Sequence, residues 1–574
     1  MNVRNLIVAI NAKYIHSNLA IYSIRAYCKK CGINLDIAEF TINQKTDSML
    51  KEIYKKKPDF IGFSCYIWNI EFVLKLAGEV KRVLPDVTIW LGGPEVSYDA
   101  VNVIADNDFV DGVMIGEGEI TFSRVIKAYE NGDDVSQIPG VAVRGSIKVH
   151  QAEYMNMDDI PFPYENFKDM EHRIIYYEST RGCPYSCSYC LSSVDKRVRF
   201  RSMELVKKEL KVFIDANVPQ VKFVDRTFNC DRKRTKEIWE FIRDNDNGIT
   251  NFHFEISADI ITDEEIELLH SLRPGLVQLE IGVQTTNEKT VQAIRRKMDF
   301  EKLSYVVNRI HETGNVHQHL DLIAGLPYED YASFRNSFND VYALKPEQLQ
   351  LGFLKVLKGS YMQEQAYEND IVYSSYPPYE VLSTPWLPYS DVLRLKGVEE
   401  MVEVYYNSGQ FVTTVKYMEK FFDTPFDMFE YMAEYYEENG LYDCGHSRIA
   451  RYNILIDALG DRMELLPEIM TYDLYLRENM KTRPSFAVNL EEEYNRISAI
   501  YTDEQNIREL LPEYEEYTTK QMQRMTHVDR FSFDILEFAR SGKINRQETY
   551  LLFDYKKVNP VDKAARVIKV LDLE

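Results

Sequence analysis

The sequence has few cysteines, fewer basic than acidic side chains, and no long hydrophobic run. Eight cysteines in 574 residues, three of them clustered, do not suggest a disulfide framework and favour a reducing, cytoplasmic location. The 68 Lys and Arg residues against 90 Asp and Glu residues give a net charge of −22, which repels phosphate backbones and disfavours a nucleic-acid partner. No apolar run reaches the roughly 18 residues of a membrane span, so no membrane partner is expected.

Length and pattern divide the chain into four regions. A chain of 574 residues is too long for a single hydrophobic core. Strand and helix patterns alternate in two regions of the chain, and an acidic segment that contains proline separates these regions. Amphipathic helices follow the second region. We therefore predict domains at residues 1–145, 173–360 and 361–574, with an ordered linker at 146–172.

The first region predicts a doubly wound α/β domain. Short apolar runs alternate with helical periodicity, which indicates a parallel sheet covered on both faces. Ligands of such sheets bind beyond the carboxyl ends of the strands. The predicted strands are 6–10, 60–64, 87–91 and 112–115, and the predicted helices are 19–30 and 72–83.

Unusual residues follow each of these strands. Four loops carry polar residues or glycine, and glycine lets a backbone approach a flat ligand closely. They supply the candidate ligand-binding residues Tyr14, His16, Ser64, Gly92, Gly93 and Glu117. A tight turn also explains the Gly-Gly pair, and a loop histidine bonded to backbone also explains His16, so both alternatives stay open.

A cysteine loop follows the apolar run 174–177. Cys183, Cys187 and Cys190 have the spacing C-x3-C-x2-C. Three thiolates on one short loop can bind three irons of a cubane cluster and leave the fourth iron open, as a catalytic metal site requires. The alternative is half of a structural zinc site, with Cys230 or a histidine as the fourth ligand.

The region from residue 173 to 360 predicts a partial barrel. Strand–helix repeats build a parallel barrel or part of one, with catalytic loops at the carboxyl ends of the strands. The predicted strands are 173–180, 220–225, 252–258, 276–283, 317–323 and 348–356. Polar side chains on these strands, including Glu255, Glu280 and Gln284, either face a ligand or satisfy one another inside the barrel.

These motifs resemble the radical S-adenosylmethionine (SAM) superfamily. The resemblance rests on the cysteine loop, with Arg-Gly before it and Tyr189 within it, then Glu-x-Gly-x-Gln at 280–284 and Gly-Leu-Pro at 325–327. The six strand–helix units resemble the superfamily's (β/α)6 partial barrel. The first region resembles the cobalamin-binding domain that precedes this barrel in one large class. The resemblance implies a [4Fe-4S] cluster, SAM and cobalamin as cofactors.

The resemblance also gives roles to single residues. Asp225 stands where many relatives carry Gly-Gly-Glu for the SAM amino group, and Glu255 is a candidate for SAM or ribose contact. Ile323 lies on a strand similar to the one that flanks adenine. Tyr14 replaces the Asp of the Asp-x-His-x-x-Gly motif of cobalamin mutases, so His16 is not expected to ligate cobalt.

The resemblance implies one reaction and leaves two alternatives. A reduced cluster cleaves SAM to a 5′-deoxyadenosyl radical that takes a hydrogen atom from an unactivated carbon, and methylcobalamin then supplies a methyl group. We expect a small-molecule or peptide substrate and a flavodoxin or ferredoxin as electron donor. The alternatives are a radical rearrangement or cyclisation, and a cobalamin-binding sensor with a structural cluster. Residues 361–574 predict amphipathic helices without a recognisable catalytic motif.

Overall fold

The protein is described here by a computed structural model that covers residues 3–145, 152–442, 444–559 and 564–570. It divides into two compact units, one of Met1–Tyr331 and Phe353–Tyr389 and the other of Ala332–Gly352 and Ser390–Glu574. The first six residues of the predicted linker lie outside the described residues. Among the residues that are described, no helix combines the length and the apolarity needed to cross a membrane.

An open six-stranded sheet begins the first unit. Its strands are β1 (Asn5–Asn11), β2 (Leu35–Thr41), β3 (Phe60–Ser64), β4 (Thr88–Gly92), β5 (Gly112–Met114) and β6 (Val141–Val143). Their order is β2-β1-β3-β4-β5-β6, and all are parallel except β6, which runs antiparallel to β5. Every residue of β1 and β3 is buried, because helices cover both faces, and this explains the continuous apolar runs.

The covering helices confirm the doubly wound class. They are α1 (Leu19–Lys30), α2 (Thr46–Lys56), α3 (Ile70–Val83), α4 (Pro94–Ser97), α5 (Ala100–Asp106) and α6 (Gly118–Asn131). The pattern analysis missed β2 and α2. β2 lies at the edge of the sheet, where only its first residue is fully buried, so its sequence lacks the apolar run that marks the central strands.

The second part of this unit is the partial barrel. Its strands are β7 (Ile175–Tyr177), β8 (Thr180–Arg181), β9 (Arg199–Phe200), β10 (Gln220–Phe223), β11 (Asn251–Ile256), β12 (Val277–Gln284) and β13 (His317–Ala324), and β14 (Gln348–Phe353) follows along the chain. The strands β7, β10, β11, β12 and β13 pair in this order, all parallel. The strands β8 and β9 form a separate antiparallel ribbon that brackets the cysteine loop.

Helices alternate with these strands as predicted. They are α7 (Met203–Asp215), α8 (Arg232–Asp244), α9 (Asp263–His270), α10 (Glu288–Ala293), α11 (Phe300–His311) and α12 (Tyr331–Tyr342). Burial alternates strictly along β12, so Val277, Leu279, Ile281 and Val283 pack outward under the helices. The polar residues between them, including Glu280 and Gln284, therefore face the barrel interior. A short extension, α13 (Tyr361–Glu368) with β15 (Val372–Tyr373) and β16 (Val381–Ser383), completes the unit.

The C-terminal region is mostly helical, as predicted, but it also contains a sheet. Its helices are α14 (Tyr389–Met401), α15 (Val412–Met418), α16 (Pro425–Glu438), α17 (Arg448–Leu459), α18 (Leu466–Arg477), α19 (Tyr494–Thr502), α20 (Glu504–Leu510), α21 (Thr519–Met525) and α22 (Ile535–Ser541). The sheet is antiparallel, in the order β17 (Thr526–Phe531), β18 (Thr549–Val558), β19 (Ala565–Val570). The expectation of a mostly helical region is confirmed, and the sheet was not predicted.

Candidate functional site

The three cysteines of the loop line one cavity at the carboxyl ends of the barrel strands. This cavity, of about 180 Å³, is called the cluster cavity below. Cys183 and Cys187 are buried, Cys190 is partly exposed, and all three are free thiols. Among the described residues, no three His, Cys, Asp or Glu side chains group as the ligands of one metal ion would.

Backbone contacts from distant segments shape the cysteine loop. Gly182 has φ +87°, and a Cβ there would collide with the carbonyl oxygen of Arg197, so glycine is required before Cys183. The Ser188 N–H donates to the carbonyl of Ile294 at 2.9 Å. The Ser188 carbonyl accepts from the Met362 N–H at 2.8 Å. The loop is therefore held on both sides by the barrel.

Asp225 supports this loop and does not line the cluster cavity. Its carboxylate accepts hydrogen bonds from the Ser179 N–H at 2.7 Å, the Ser179 hydroxyl at 2.5 Å and the Thr180 N–H at 3.1 Å. Complete burial raises the pKa of Asp225 to about 6 against these bonds. The expected contact with the SAM amino group needs a free, cavity-facing carboxylate, so the structure places Asp225 in a positioning role instead.

Carboxylates of neighbouring strands line the cluster cavity. Glu280 pairs with Lys222 at 2.8 Å and with His253 at 2.9 Å. Burial alone would raise the pKa of Glu280, but these two partners hold it well below its usual value. Burial raises the pKa of Glu255 to about 7, and its nearest cation, Arg226, is 4.0 Å away. Glu255 is therefore the less firmly ionised of the two.

Sequence reasoning missed Arg296. Its guanidinium donates to the carbonyl of Gly282, to the Tyr189 hydroxyl at 3.3 Å and to the Cys187 sulfur at 3.8 Å. A Cβ at Gly282 would meet the amide end of the Gln284 side chain, which would have to move to make room for it. Gln284 itself has φ +74° at a bulge in β12, a strained conformation of the kind found at functional sites.

The strand β13, which contains the candidate residue Ile323, contributes a different residue to the cluster cavity. Asp321 lines the cluster cavity and pairs with His319 at 3.0 Å, although sequence reasoning did not select it. Ile323 lies two residues further on the same face of β13, half-buried, and does not line this cavity.

A larger cavity, of about 580 Å³, opens between the first sheet and the barrel and is called the interdomain cavity below. Loops after β1, β3 and β5 line it on one side, and barrel residues such as Tyr176, Glu178 and Arg226 on the other. The candidate residues His16 and Glu117 are among its lining residues. Tyr14 is not, because its side chain is 61% exposed and lies against the guanidinium of Arg173.

His16 is bonded to the barrel. Its Nδ1 lies 2.7 Å from the hydroxyl of Tyr176. Burial lowers the pKa of His16, so the ring is neutral near pH 7, and burial raises the pKa of Tyr176, which keeps its proton. The hydrogen bond to Tyr176 uses Nδ1 and leaves Nε2 outside it.

Arg181, the residue before Gly182, joins the cysteine loop to the first domain. Its guanidinium contacts Glu119 at 2.6 Å, Glu178 at 2.8 Å and Glu117 at 3.2 Å. Glu117 also pairs with Arg199. The loop after β5 is thereby tied by charge to both ends of the cysteine loop, a link that no sequence pattern indicated.

A third cavity, of about 440 Å³, lies over the ends of β3, β4 and β5 and includes Ser64, Gly92 and Gly93. Gly93 has φ +123°, and a Cβ there would collide with the carbonyl of Cys65, so glycine is required. Ala20, Ile24, Tyr66 and Gly118 line both this cavity and the interdomain cavity. The nearby Glu95 is turned away and is bonded to Tyr379 and Lys358.

The architecture and the site define a class of protein. A doubly wound domain with an open cavity at its strand ends stands against a partial barrel whose mouth carries C-x3-C-x2-C. This is the construction of a radical SAM protein with an N-terminal cobalamin-binding domain.

Family comparisons confirm both parts. The family described as "B12 binding domain" matches residues 5–126, and the family described as "Radical SAM superfamily" matches residues 177–341. Residues 367–553 match the family described as "Protein of unknown function (DUF4080)". The predicted cofactors, a [4Fe-4S] cluster, SAM and cobalamin, are those of the first two families.

Two curated relatives carry methyltransferase names. The 2-(S-pantetheinyl)-carbapenam-3-carboxylate methyltransferase of Streptantibioticus cattleyicolor is 27% identical over 50% of this chain and 45% of its own. The cobalamin-dependent radical SAM methyltransferase TokK of Streptomyces tokunonensis is 26% identical over 50% of this chain and 45% of its own. The chain thus spans just under half the length of these relatives.

A solved structure shares the fold. The cobalamin-dependent S-adenosylmethionine radical enzyme OxsB, with aqua-cobalamin and SAM bound, superposes with a TM-score of 0.58 at 14% identity. The match covers 82% of this chain and 79% of that one. At this identity the likeness shows the fold alone.

Proposed function

We propose that the protein is a cobalamin-dependent radical SAM methyltransferase that acts on an unactivated carbon of a small molecule or peptide. One observation carries the proposal. The interdomain cavity, which lies at the strand ends of the cobalamin-binding domain, shares the lining residue Arg226 with the cluster cavity. A substrate at this junction would meet both cofactors, as the combination of a methyl donor and a radical generator requires.

The chain's own residues fit the cofactors. Cys183, Cys187 and Cys190 would hold the cluster and leave one iron open. Glu255, which lines the cluster cavity, suits one of the hydrogen-bond donors of SAM. When bound, cluster and SAM supply radical chemistry and cobalamin supplies the methyl group.

Other residues position the cysteine loop and line the interdomain cavity. Asp225 and Gly182 fix the path of the cysteine loop, and the stacked rings of Tyr66 and Trp68, 4.4 Å apart, form an apolar wall of the interdomain cavity. A flavodoxin or ferredoxin is proposed as the electron donor.

The test compares two cysteine variants. Anaerobically reconstituted Cys183→Ala should lose iron and form no 5′-deoxyadenosine from SAM and reductant, whereas Cys230→Ala should keep both. If the loop were a zinc site with Cys230 as fourth ligand, both variants would lose metal. In the parent protein, a product heavier by one methyl group supports methyl transfer. A product of unchanged carbon count would favour rearrangement or cyclisation, and intact SAM under reducing conditions would favour a sensor.

A further inference from the structure

We propose that Arg226 binds a carboxylate or phosphate group of the substrate at the junction of the interdomain cavity and the cluster cavity. The inference rests on the methyl transfer proposed above and names the chemical class of its substrate. Arg226 lines both cavities, and 55% of its side chain is exposed to them or to solvent. A substrate that spans the two cofactors must pass this side chain.

The guanidinium of Arg226 is available, unlike those of the other arginines in these cavities. Arg181 is surrounded by three carboxylates, and Arg296 donates to a carbonyl, a hydroxyl and a thiol. Within the described part of the chain, Arg226 makes no hydrogen bond through its guanidinium, and the carboxylate of Glu255 is 4.0 Å away, at the limit of an ion pair. Because burial raises the pKa of Glu255 to about 7, this neighbour does not fully compensate the charge.

The backbone that carries Arg226 is held in place. Asp225, the preceding residue, accepts three hydrogen bonds from the segment before the cysteine loop. Thr227, the following residue, lies 3.5 Å from the Cys183 sulfur through its hydroxyl. The planar guanidinium is therefore presented from a fixed point beside the cluster loop, and its donors match the two oxygens of a carboxylate or phosphate.

The charges of the interdomain cavity direct an anion to the same place. Glu117, Glu119 and Glu178 outnumber Arg181 where these four side chains meet, so this group repels an anion. Arg226 lines the same cavity outside this group. A substrate with an apolar body against the aromatic wall and an anionic group near the reacting carbon fits this distribution of charge.

The experiment uses the full chain loaded with cluster and cobalamin. Protein, reductant and methyl-labelled SAM are incubated with a small-molecule extract of the source cells, and the products are separated by anion exchange. We expect labelled product in the anionic fraction. Arg226→Gln should lower it about tenfold, since one lost ionic contact is worth about 1.4 kcal/mol, and Arg226→Lys should lower it less. Arg82→Gln, at a surface side chain that is 79% exposed, is the matched control and should change nothing.

Three measurements distinguish whether Arg226 binds an anionic group of the substrate, of SAM or of cobalamin. In Arg226→Gln, uncoupled 5′-deoxyadenosine formation and cobalamin retention on gel filtration should stay within about twofold of the parent. If the first is lost, Arg226 serves the carboxylate of SAM. If the second is lost, it serves the phosphate of cobalamin, and either result overturns the proposal. Labelled product in a neutral or cationic fraction also overturns it.

Absence of label in every fraction would count against methyl transfer itself. The anion site at Arg226 is then tested by a second measurement that needs no product. Phenylglyoxal modification of its peptide is followed by mass spectrometry in protein loaded with SAM and cobalamin. Acetate and inorganic phosphate should slow this modification, while neutral acetamide should not. Equal modification rates with all three additives would overturn the anion site.

Discussion

The ion pairs around Arg181 predict a pH-dependent loss of stability in Arg181→Met. Methionine keeps an apolar stem but removes the charge, so Glu119, whose side chain is only 5% exposed, remains buried without its partner. Breaking a buried pair by removing one partner costs about 3–5 kcal/mol. Glu117 and Glu178 are more exposed and can recover part of their hydration, so we expect the lower end, about 3 kcal/mol.

The sign of the pH dependence follows from Glu119. Burial alone would raise its pKa, but Arg181 and Ser23 hold it below the usual value in the parent. Without Arg181, burial dominates and the folded-state pKa rises above the unfolded value of about 4.3. The folded variant then binds a proton that the unfolded chain has lost, so its stability falls as the pH rises through the raised pKa. The deficit relative to the parent should be larger at about pH 8 than at about pH 5.5.

Urea denaturation at both pH values measures this effect. A chain of this size unfolds in more than one step, so the midpoint of the first transition is compared. Arg82→Met is the control, because Arg82 pairs with Glu79 at 3.5 Å on the surface and should contribute less than about 1 kcal/mol. The double variant Arg181→Met/Glu119→Gln should recover part of the loss. A deficit that grows at acidic pH, or equal midpoints for Arg181→Met and Arg82→Met, would refute the reasoning.

Three further predictions concern the cavities. Ala20→Trp should fill the space that Ala20 lines in both the interdomain and the third cavity, so the protein should lose cobalamin on gel filtration but keep its iron. The control Lys29→Trp, on the exposed end of the same helix, should keep both. Retained cobalamin in Ala20→Trp would contradict this prediction. Burial raises the pKa of Glu255 to about 7, so this group should lower the stability as the pH rises from about 4.5 to 7. Glu255→Gln should remove this contribution from the pH dependence of the urea midpoint, and an unchanged dependence would show that the group does not titrate there. Because Tyr14 stands in place of the carboxylate that orients a ligating imidazole, paramagnetic resonance of the cob(II)alamin state should show no axial nitrogen splitting that His16→Ala removes; such splitting would mean that His16 ligates cobalt.

The sequence by itself determined the fold class and the cysteine loop. Ligand spacing within eight residues is a local property, so C-x3-C-x2-C indicated its chemistry without any fold. The central parallel strands were also predictable, and Phe60–Ser64 begins and ends as expected, because a strand buried on both faces must be a continuous apolar run. The match to the radical SAM and B12-binding families confirms this part of the prediction.

Only the tertiary structure decided what the single polar residues do. Asp225 was a candidate ligand contact because it stands where many relatives carry Gly-Gly-Glu, but packing turns it to the backbone of Ser179. Arg296 lies in a segment without any motif, and it reaches the cysteine loop because a chain reversal after β12 brings it back. Tyr176 bonds His16 across 160 residues of sequence. Such partners are chosen by three-dimensional proximity, which the local pattern does not record.

The same reason explains the missed sheet in the C-terminal region. The strands Thr526–Phe531, Thr549–Val558 and Ala565–Val570 pair with one another, and the middle one begins with six consecutive buried residues. Only residues 550–553 of these six are apolar, and so short an apolar run is equally compatible with a buried helix segment. It is a strand because its backbone hydrogen-bonds to one neighbouring strand on each side, and that pairing exists only once the chain has folded.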